Sequence, residues 1–402
     1  MDAKSIGATI AHLRKRMGLT QAELAERLNV SNKAVSKLEN GLGYPDLSLF
    51  PLLSSLFGVS VDYLLMQKKG ITVAGSIIVD ILKIIEKYPT PGTLAYVTSL
   101  SQAVGGCAPN TAIDLVKIDP HLSVSVCGKV GTDENGRFIL GELQKHGVNI
   151  DRIISTPTAP TSFSDVMSLP QGERTFFHVK GANACFAPEE IDVKGLNCDI
   201  LHIGYLMLLD RFDCPDPEYG TAMARFLHRV QEAGIKTSID TVSREGADYK
   251  TTVLPALPYC DYVIINELEC CSIWDIPPRN EEGSLNVAGI LLAMEKTAQA
   301  GVRRKVIVHA REACFLYDVK SGKTVSARSL AIPKEEMKGN TGAGDAFCAG
   351  CLYAFYNHYP DTKVLEFASA AAACNLFAAN TVDGMRSKDE IYALAEKYGR
   401  LS

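Results

Sequence analysis

The stretch 337–350, MKGNTGAGDAFCAG, decides how most of this chain is read. It sets Gly342, Gly344 and Asp345 at the mouth of an apolar, alanine-rich segment that reads as a helix. Glycines at 342 and 344 allow a tight turn that exposes consecutive N–H groups. A helix starting there adds the positive end of its dipole, so the position attracts an anion. The expected occupant is a phosphate. Asp345, in the first turn, would sit beside it with a carboxylate free to accept a proton from an attacking hydroxyl, which is what phosphoryl transfer to an alcohol requires.

Working outward, the chain from Ile71 alternates apolar strand-like runs with longer helical segments. ITVAG, LSVSVCG, DILHIG, IKTSID, DYVIIN and KVIVHA are the strand candidates; 133–147, 219–234 and 286–301 are helical. Such alternation predicts an α/β fold with a mostly parallel sheet covered by helices on both faces, and ligands gather at the carboxyl ends of its strands. Residues 155–180 break the scheme. They read as short alternating strands around the turn PQGER, and predict a small β-lid able to expel water from a strand-end crevice.

Residues 5–66 contain only short helical segments separated by turn signals. In GLTQAELAERLNVSNKAVSKLENG, Thr20 and Glu23 form a capping box, and Ala22, Leu24, Ala25 and Leu28 supply an apolar face. Ser31 can cap a second helix that ends at Gly41 and carries Asn32, Lys33, Ser36 and Lys37 outward, a layout suited to a DNA major groove. Gln67 to Gly70 then form a short junction.

Composition narrows the remaining choices. At 402 residues with 47% hydrophobic content the chain can fill more than one core. The net charge of −5 is unevenly spread: residues 1–70 hold 9 Lys/Arg against 6 Asp/Glu, and the remainder 32 against 40. No apolar run is long enough to span a bilayer and no signal-peptide pattern opens the chain, so a cytoplasmic location without membrane partners is expected. All twelve cysteines lie at or after Cys107 and are expected to be reduced. The C-x-x-C of Cys348 and Cys351 has no second pair, and reads as core packing.

The motifs from 71 to 402 resemble the PfkB (ribokinase-like) carbohydrate kinases, whose C-terminal signature ends in the G-A-G-D found at Gly342, Ala343, Gly344 and Asp345. GGCAPNTA matches a second signature, with Gly105, Gly106 and Asn110 at the sugar. Asp80, placed after the first strand, would bind substrate hydroxyls. The resemblance implies a ribokinase-like three-layer fold with a lid over about 155–183 that brings Lys180 and Asn183 to the substrate mouth. DTVSR offers Asp240 and Arg244. Asn266 and Glu269 in NELE match the N-x-x-E element that holds Mg2+, usually through water and without direct ligation, and Thr341 belongs to the same nucleotide side. The implied reaction is transfer of the γ-phosphoryl group of ATP to a sugar hydroxyl, with Asp345 as base and the 342–344 amides stabilising charge.

Three positions depart from the pattern. Gly339 stands where an acidic residue often contributes to a monovalent-cation site, leaving that requirement open. His309 to Glu312 replace glycines common on the nucleotide side, and Val242 replaces an Asn. His309 itself reads as an ordinary strand histidine.

Residues 1–66 resemble the XRE (Cro/repressor-like) helix-turn-helix family. That resemblance implies binding to double-stranded DNA through Gln21, Ser31, Asn32, Lys33, Ser36 and Lys37, with Arg14 near the DNA backbone, and a homodimer. Two functions follow: a sugar kinase joined to a DNA-binding domain, or a transcriptional regulator whose kinase-like domain senses a sugar or nucleotide without turnover. Ribose, fructose, a keto-deoxy sugar acid and a nucleoside all remain open as substrates.

Overall fold

The computed structural model describes residues 3–59, 61–65, 69–169, 173–243, 246 and 248–401. The chain divides into two compact units, Met1–Lys69 and Gly70–Ser402. Gln67 and Lys68 of the expected junction, and 170–172 of the lid turn, lie outside the described residues.

The first unit consists of α1 (Ala3–Arg16), α2 (Gln21–Arg27), α3 (Asn32–Glu39), α4 (Leu49–Phe57) and α5 (Val61–Leu65). The capping box forms as the spacing predicts: Thr20 Oγ1 accepts from the Glu23 amide at 3.2 Å, and Glu23 Oε2 accepts from the Thr20 amide at 2.7 Å. Ser31 Oγ caps α3 by accepting from the Ala34 amide. Leu24, Ala25 and Leu28 enter a core with Ile6, Ile10, Leu13, Val35 and Leu53. Ala22 is exposed, because the helix turns it away from that stripe.

Arg14 is not on the outer face. It is 8% exposed. Its Nε and Nη2 donate to the two oxygens of Glu39 at 2.6 and 3.0 Å, and Nη1 donates to the Leu19 carbonyl at 2.6 Å. Gln21 Nε2 donates to the same Glu39. A two-pronged guanidinium–carboxylate pair thus ties α1 to α3. Ser31, Asn32, Lys33 and Lys37 remain exposed on α3 and its cap, and Ser36 is half-buried.

In the second unit the strands are β1 (Ile71–Gly75), β2 (Ile78–Ile85), β3 (Val97–Gly105), β4 (Val124–Gly131), β5 (Asn149–Thr156), β6 (Phe163–Ser168), β7 (Arg174–Val179), β8 (Ile200–Leu206), the short β9 (Pro215–Asp216) and β10 (Gly220–Thr221), β11 (Lys236–Thr241), β12 (Tyr262–Asn266), β13 (Lys305–His309), β14 (Ala313–Asp318) and β15 (Lys323–Arg328). The helices are α6 (Cys107–Ile118), α7 (Glu134–Lys145), α8 (Gly181–Cys185), α9 (Ala222–Glu232), α10 (Tyr249–Val253), α11 (Glu267–Ser272), α12 (Val287–Gln299), α13 (Ala343–Tyr356), α14 (Asp361–Asn375) and α15 (Lys388–Tyr398).

Nine strands form one sheet in the order β15-β14-β13-β12-β11-β8-β1-β4-β5. From β5 to β13 every pairing is parallel, and β14 alone is reversed, pairing antiparallel with both β13 and β15. Side-chain alternation explains the two layers of helices. Val73 faces the core built with α6, α13 and α14, whereas Ala74 faces the one built with α9, α11 and α12. The strand order reverses beside β1, with β4 and β5 on one side and β8 onward on the other, and the crevice beyond the strand ends at such a reversal is where α/β sheets place ligands.

The lid is larger than the sequence pattern predicts. It is a separate four-stranded sheet in the order β3-β2-β6-β7. Only β6 and β7 come from 155–180, while 155 and 156 end an edge strand of the main sheet. Asp80, which follows the first strand, lies within a lid strand, paired with Ala103 and Ser164. All twelve cysteines are free thiols, and Cys348 and Cys351 are buried in α13.

Substituting Arg14→Ala would leave Glu39 as an uncompensated buried charge, a change that costs about 3–5 kcal/mol. We expect the helical unit to melt well before the α/β unit in a thermal scan of the variant, with the second transition unmoved.

Candidate active site

The site is organised by the start of α13. Gly342 holds φ +82° and ψ −2°, and a Cβ there would come within 2.4 Å of the Thr381 carbonyl oxygen. Asn375 fixes this turn from behind, its Nδ2 donating to the carbonyls of Gly342 at 3.1 Å and Thr381 at 2.6 Å. The Ala343 amide folds back to Asn340 at 3.3 Å, and the Ala346 amide makes the first helical bond to Gly342 at 2.9 Å. Between them the amides of Gly344 and Asp345 occupy the turn that has no intrahelical acceptor, and Gly344 is exposed. A helix of 14 residues with such a start offers free N–H donors and the positive end of its dipole, which suit an anion.

Asp345 points inward. It is 4% exposed. Asn110, on α6, donates from Nδ2 to Oδ2 at 2.8 Å, and the Tyr205 hydroxyl sits 3.2 Å from both carboxylate oxygens. Burial raises the pKa of Asp345 to about 7; Asp240 pushes the same way, while the Asn110 and Tyr205 hydrogen bonds and His202 pull down. The carboxyl is thus poised for proton exchange near neutrality.

Asn110, expected at the substrate, spends its amide nitrogen on Asp345. Its buried Oδ1 has no partner among the described residues, an acceptor suited to a hydroxyl. Tyr205 is the residue sequence reasoning missed. It sits at the carboxyl end of β8 with φ +60°, an uncommon backbone for a bulky residue, and its own amide is held by Asp240 Oδ1. Burial and then Asp345 raise its pKa well above the ordinary phenol value, so it stays a donor. A tyrosine inside a strand pattern carries no advance sign of this.

Asp80 lies against the glycine pair, since a Cβ on Gly105 would come within 2.5 Å of its Oδ2, and Gly106 opens α6. Asp80 of the lid thus neighbours Gly105, and Gly106 leads into α6, whose Asn110 holds Asp345 of α13. Two other candidates do not join them. Asn183 is 1% exposed and fully engaged: Oδ1 accepts from the Ile77 amide, and Nδ2 donates to Ser76 Oγ and the Ile77 carbonyl. It clamps the β1–β2 connection. Lys180 pairs with Asp210 at 2.8 Å. Arg244 lies outside the described residues.

Asn266 and Glu269 form a capping box at α11, with Asn266 Oδ1 accepting from the Glu269 amide at 2.8 Å and Glu269 Oε2 accepting from the Asn266 amide at 3.1 Å. Glu269 Oε1 also accepts from Ser243 Oγ and Asn266 Nδ2, both at 2.8 Å. Burial raises its pKa to about 7 against these hydrogen bonds. Thr341 directly precedes the Gly342 turn and is half-buried. His309 packs its ring 4.8 Å from Phe347, and burial lowers its pKa to about 4, as suits a neutral strand histidine.

Comparison with known proteins identifies the family. Residues 68–388 match the model of the pfkB family carbohydrate kinases. The chain belongs to the pfkB family. Residues 10–64 match a helix-turn-helix model, so the pfkB unit is preceded by an XRE-type helix-turn-helix unit. The 5-dehydro-2-deoxygluconokinase of Shouchella clausii is 24% identical over 309 residues, covering 74% of this chain and 88% of that one. The ribokinase of Arabidopsis thaliana is 26% identical over 329 residues, with coverages of 81% and 80%. The solved structure of Arabidopsis ribokinase complexed with ribose and ATP superposes with a TM-score of 0.66 at 23% identity, covering 81% of this chain and 98% of that one. Thermotoga maritima ribokinase gives the same TM-score at 20% identity, with coverages of 81% and 99%. These structures establish the ribokinase fold of the pfkB unit.

Gly342→Ala would force a left-handed alanine, costing about 1–2 kcal/mol, and drive its methyl into Thr381. We expect a lowered melting temperature for the pfkB unit together with loss of phosphate or nucleotide binding by calorimetry; unchanged binding would dismiss the turn as the anion site.

Proposed function

We propose that this chain transfers the γ-phosphoryl group of ATP to a hydroxyl of a sugar or related polyol, and that its first 66 residues bind double-stranded DNA. The observation that carries the enzymatic reading is the Asp345 carboxyl, buried at the open first turn of α13 and held by Asn110 and Tyr205 with a pKa of about 7.

The residues present fit the nucleotide. Amides without helical acceptors at Gly344 and Asp345 suit its phosphate oxygens, with Thr341 and Ala343 on either side of the turn. Both oxygens of Glu269 already accept hydrogen bonds, which suits a hydrated Mg2+ held through its water shell by Asn266 and Glu269 better than direct ligation. Bound ATP and Mg2+ supply the phosphoryl group and offset its charge.

The chain's own residues do the rest. Asp345 removes the proton from the acceptor hydroxyl as the oxygen–phosphorus bond forms. Tyr205 and Asn110 hold both carboxylate oxygens, so the base does not have to be found by rotation. Asn110 Oδ1 and the Asp80 carboxylate accept hydrogen bonds from neighbouring hydroxyls, Gly105 and Gly106 let the substrate approach the backbone, and the lid excludes water. The first-turn amides stabilise charge on the transferred group, a contribution typically worth about 100- to 1,000-fold in rate.

In the helix-turn-helix unit, the exposed Ser31, Asn32, Lys33 and Lys37 with Ser36 are the proposed groove-facing set, and Gln21 borders them. Arg14, committed to Glu39, supports their presentation. A cytoplasmic homodimer is the assembly proposed, because such units read paired half-sites. Among the described residues no helix is long and apolar enough to cross a membrane.

ADP release from ATP and Mg2+ should be stimulated by one of ribose, fructose, a keto-deoxy sugar acid or a nucleoside, and Asp345→Asn should lower kcat by about 100- to 10,000-fold with nucleotide binding retained. No stimulation by any acceptor, with ligands still shifting DNA affinity, would replace the kinase with a ligand sensor.

Because Asp345 acts as a base, kcat/KM should rise with pH through an apparent pKa near 7. Tyr205→Phe removes a donor that favours the ionised form, so its acidic limb should move to higher pH. A limb that stays in place would remove Tyr205 from the base's environment. Affinity for genomic DNA fragments should fall steeply with salt and weaken in Lys33→Ala and Lys37→Ala; indifference to both would make the first unit a protein-interaction module.

A further inference from the structure

One cluster is not used by this mechanism. His202 on β8, Asp240 on β11 and Cys348 on α13 direct ligand atoms that all lie within 4.8 Å of one another. We propose that these three residues form a binding site for a thiophilic divalent cation, Zn2+ in the first instance, one helical turn from the Asp345 carboxyl.

The spacing is the first argument. His202 Nε2 is 3.5 Å from Asp240 Oδ2 and 3.5 Å from Cys348 Sγ. Ligand bonds of about 2.0–2.3 Å arranged tetrahedrally put neighbouring donor atoms about 3.3–3.8 Å apart, which the two His202 separations match, while Asp240 and Cys348, within 4.8 Å of each other, would draw together on binding. The same 3.5 Å is long for a nitrogen–oxygen hydrogen bond, so the imidazole and carboxylate converge without satisfying each other.

The second argument is how the imidazole is held. His202 Nδ1 lies 3.0 Å from Ser238 Oγ, which anchors the far ring nitrogen as outer partners anchor a metal-bound histidine and leaves Nε2 toward Asp240; Cys348 Sγ lies beside the ring, 3.5 Å from Nε2 and 3.8 Å from Nδ1, and its side chain must rotate to meet an ion on the Nε2 side. His202 and Cys348 are 0% and 2% exposed and Asp240 is 8% exposed, so Asp240 is the entry side. Three protein ligands leave a fourth position for water. Nitrogen and sulfur donors select zinc-like ions over Mg2+, which keeps this site distinct from the oxygen donors proposed for the nucleotide's metal.

Binding balances the charge. The Cys348 S–H bond breaks, a sulfur–metal bond forms, and one proton leaves to solvent. A thiolate and the Asp240 carboxylate then neutralise the dication. The free thiol sits well above its ordinary pKa, first through burial and then through Asp240, so affinity should climb with pH. Because Asp240 also pushes the Asp345 pKa upward, its neutralisation by the ion should lower that pKa. This last consequence rests on the proposed kinase reading; the binding site does not.

The full-length chain should bind one Zn2+ in competition with a chromophoric chelator, releasing a proton. Co2+ should give a thiolate-to-metal charge-transfer band. Cys348→Ala should abolish the band and weaken binding by about 100-fold, whereas Cys351→Ala, which removes a neighbouring buried thiol on the same helix, should leave both intact. Absence of tight binding in the wild-type chain, or a band that survives Cys348→Ala, overturns the site. With Zn2+ bound, the acidic limb of kcat/KM should shift to lower pH in the wild type and not in Cys348→Ala; a fixed limb despite binding overturns the link to Asp345. Failure to find any phosphate acceptor would sink the kinase reading while leaving the metal titration as it stands.

Discussion

A carboxyl group buried at the amino end of a helix is the constraint around which the pfkB unit is arranged. Asp345 cannot stay in that position as an isolated charge, because removal from water costs more than the helix dipole returns. Its two supports come from 235 and 140 residues away in sequence, Asn110 on α6 and Tyr205 at the end of β8. The parallel sheet brings all three together, since α6 and α13 pack on one face while β8 delivers Tyr205 from the strand ends. Any slippage of α13 against α6 would break the Asn110 contact first, so helix packing and acid–base chemistry are one problem in this molecule.

The anion turn obeys a similar logic. Its amides face outward only because something else holds its carbonyls, and Asn375 does that by reaching from the end of α14 to Gly342 and Thr381. The left-handed Gly342 and the Asn375 clamp are two halves of one device: the first lets the chain reverse, and the second prevents the reversed peptide from relaxing. A preorganised turn has no reorganisation cost left at the moment charge develops.

How much of this was legible in the sequence depends on whether the signal was local. Gly342, Gly344 and Asp345 announce themselves because a turn, a helix start and a carboxylate are adjacent in the chain. Thr20 with Glu23 and Asn266 with Glu269 do so for the same reason, as capping boxes have a fixed spacing of three. The lid was half seen: β6 and β7 flank a visible turn, whereas β2 and β3 are joined by a longer connection and were not among the strand candidates. Asp80 was accordingly read only as following the first strand. The bonds that hold Asn183, Lys180 and Arg14 were not legible, because a polar residue near a site and a polar residue holding the fold look alike until its partners are known, and those partners, Ile77, Asp210 and Glu39, lie 25 to 106 residues away. Tyr205 was invisible because its role comes from a left-handed backbone at a strand end.

The acids of the crevice are electrostatically linked. Burial raises the pKa of Asp345 and of Glu269 to about 7, and the charge of Asp240 pushes both the same way. A neighbouring negative charge makes a buried carboxyl harder to ionise, so Asp345 and Glu269 each hold a proton to higher pH than an exposed acid. Each cation that enters relieves that resistance and each anion renews it. Under the proposed kinase reading, an ion that offsets the charge of Asp240 would ease loss of the Asp345 proton. On this argument the fold does more than place a carboxylate beside a phosphate turn: it makes the ionisation of that carboxylate depend on what else is bound.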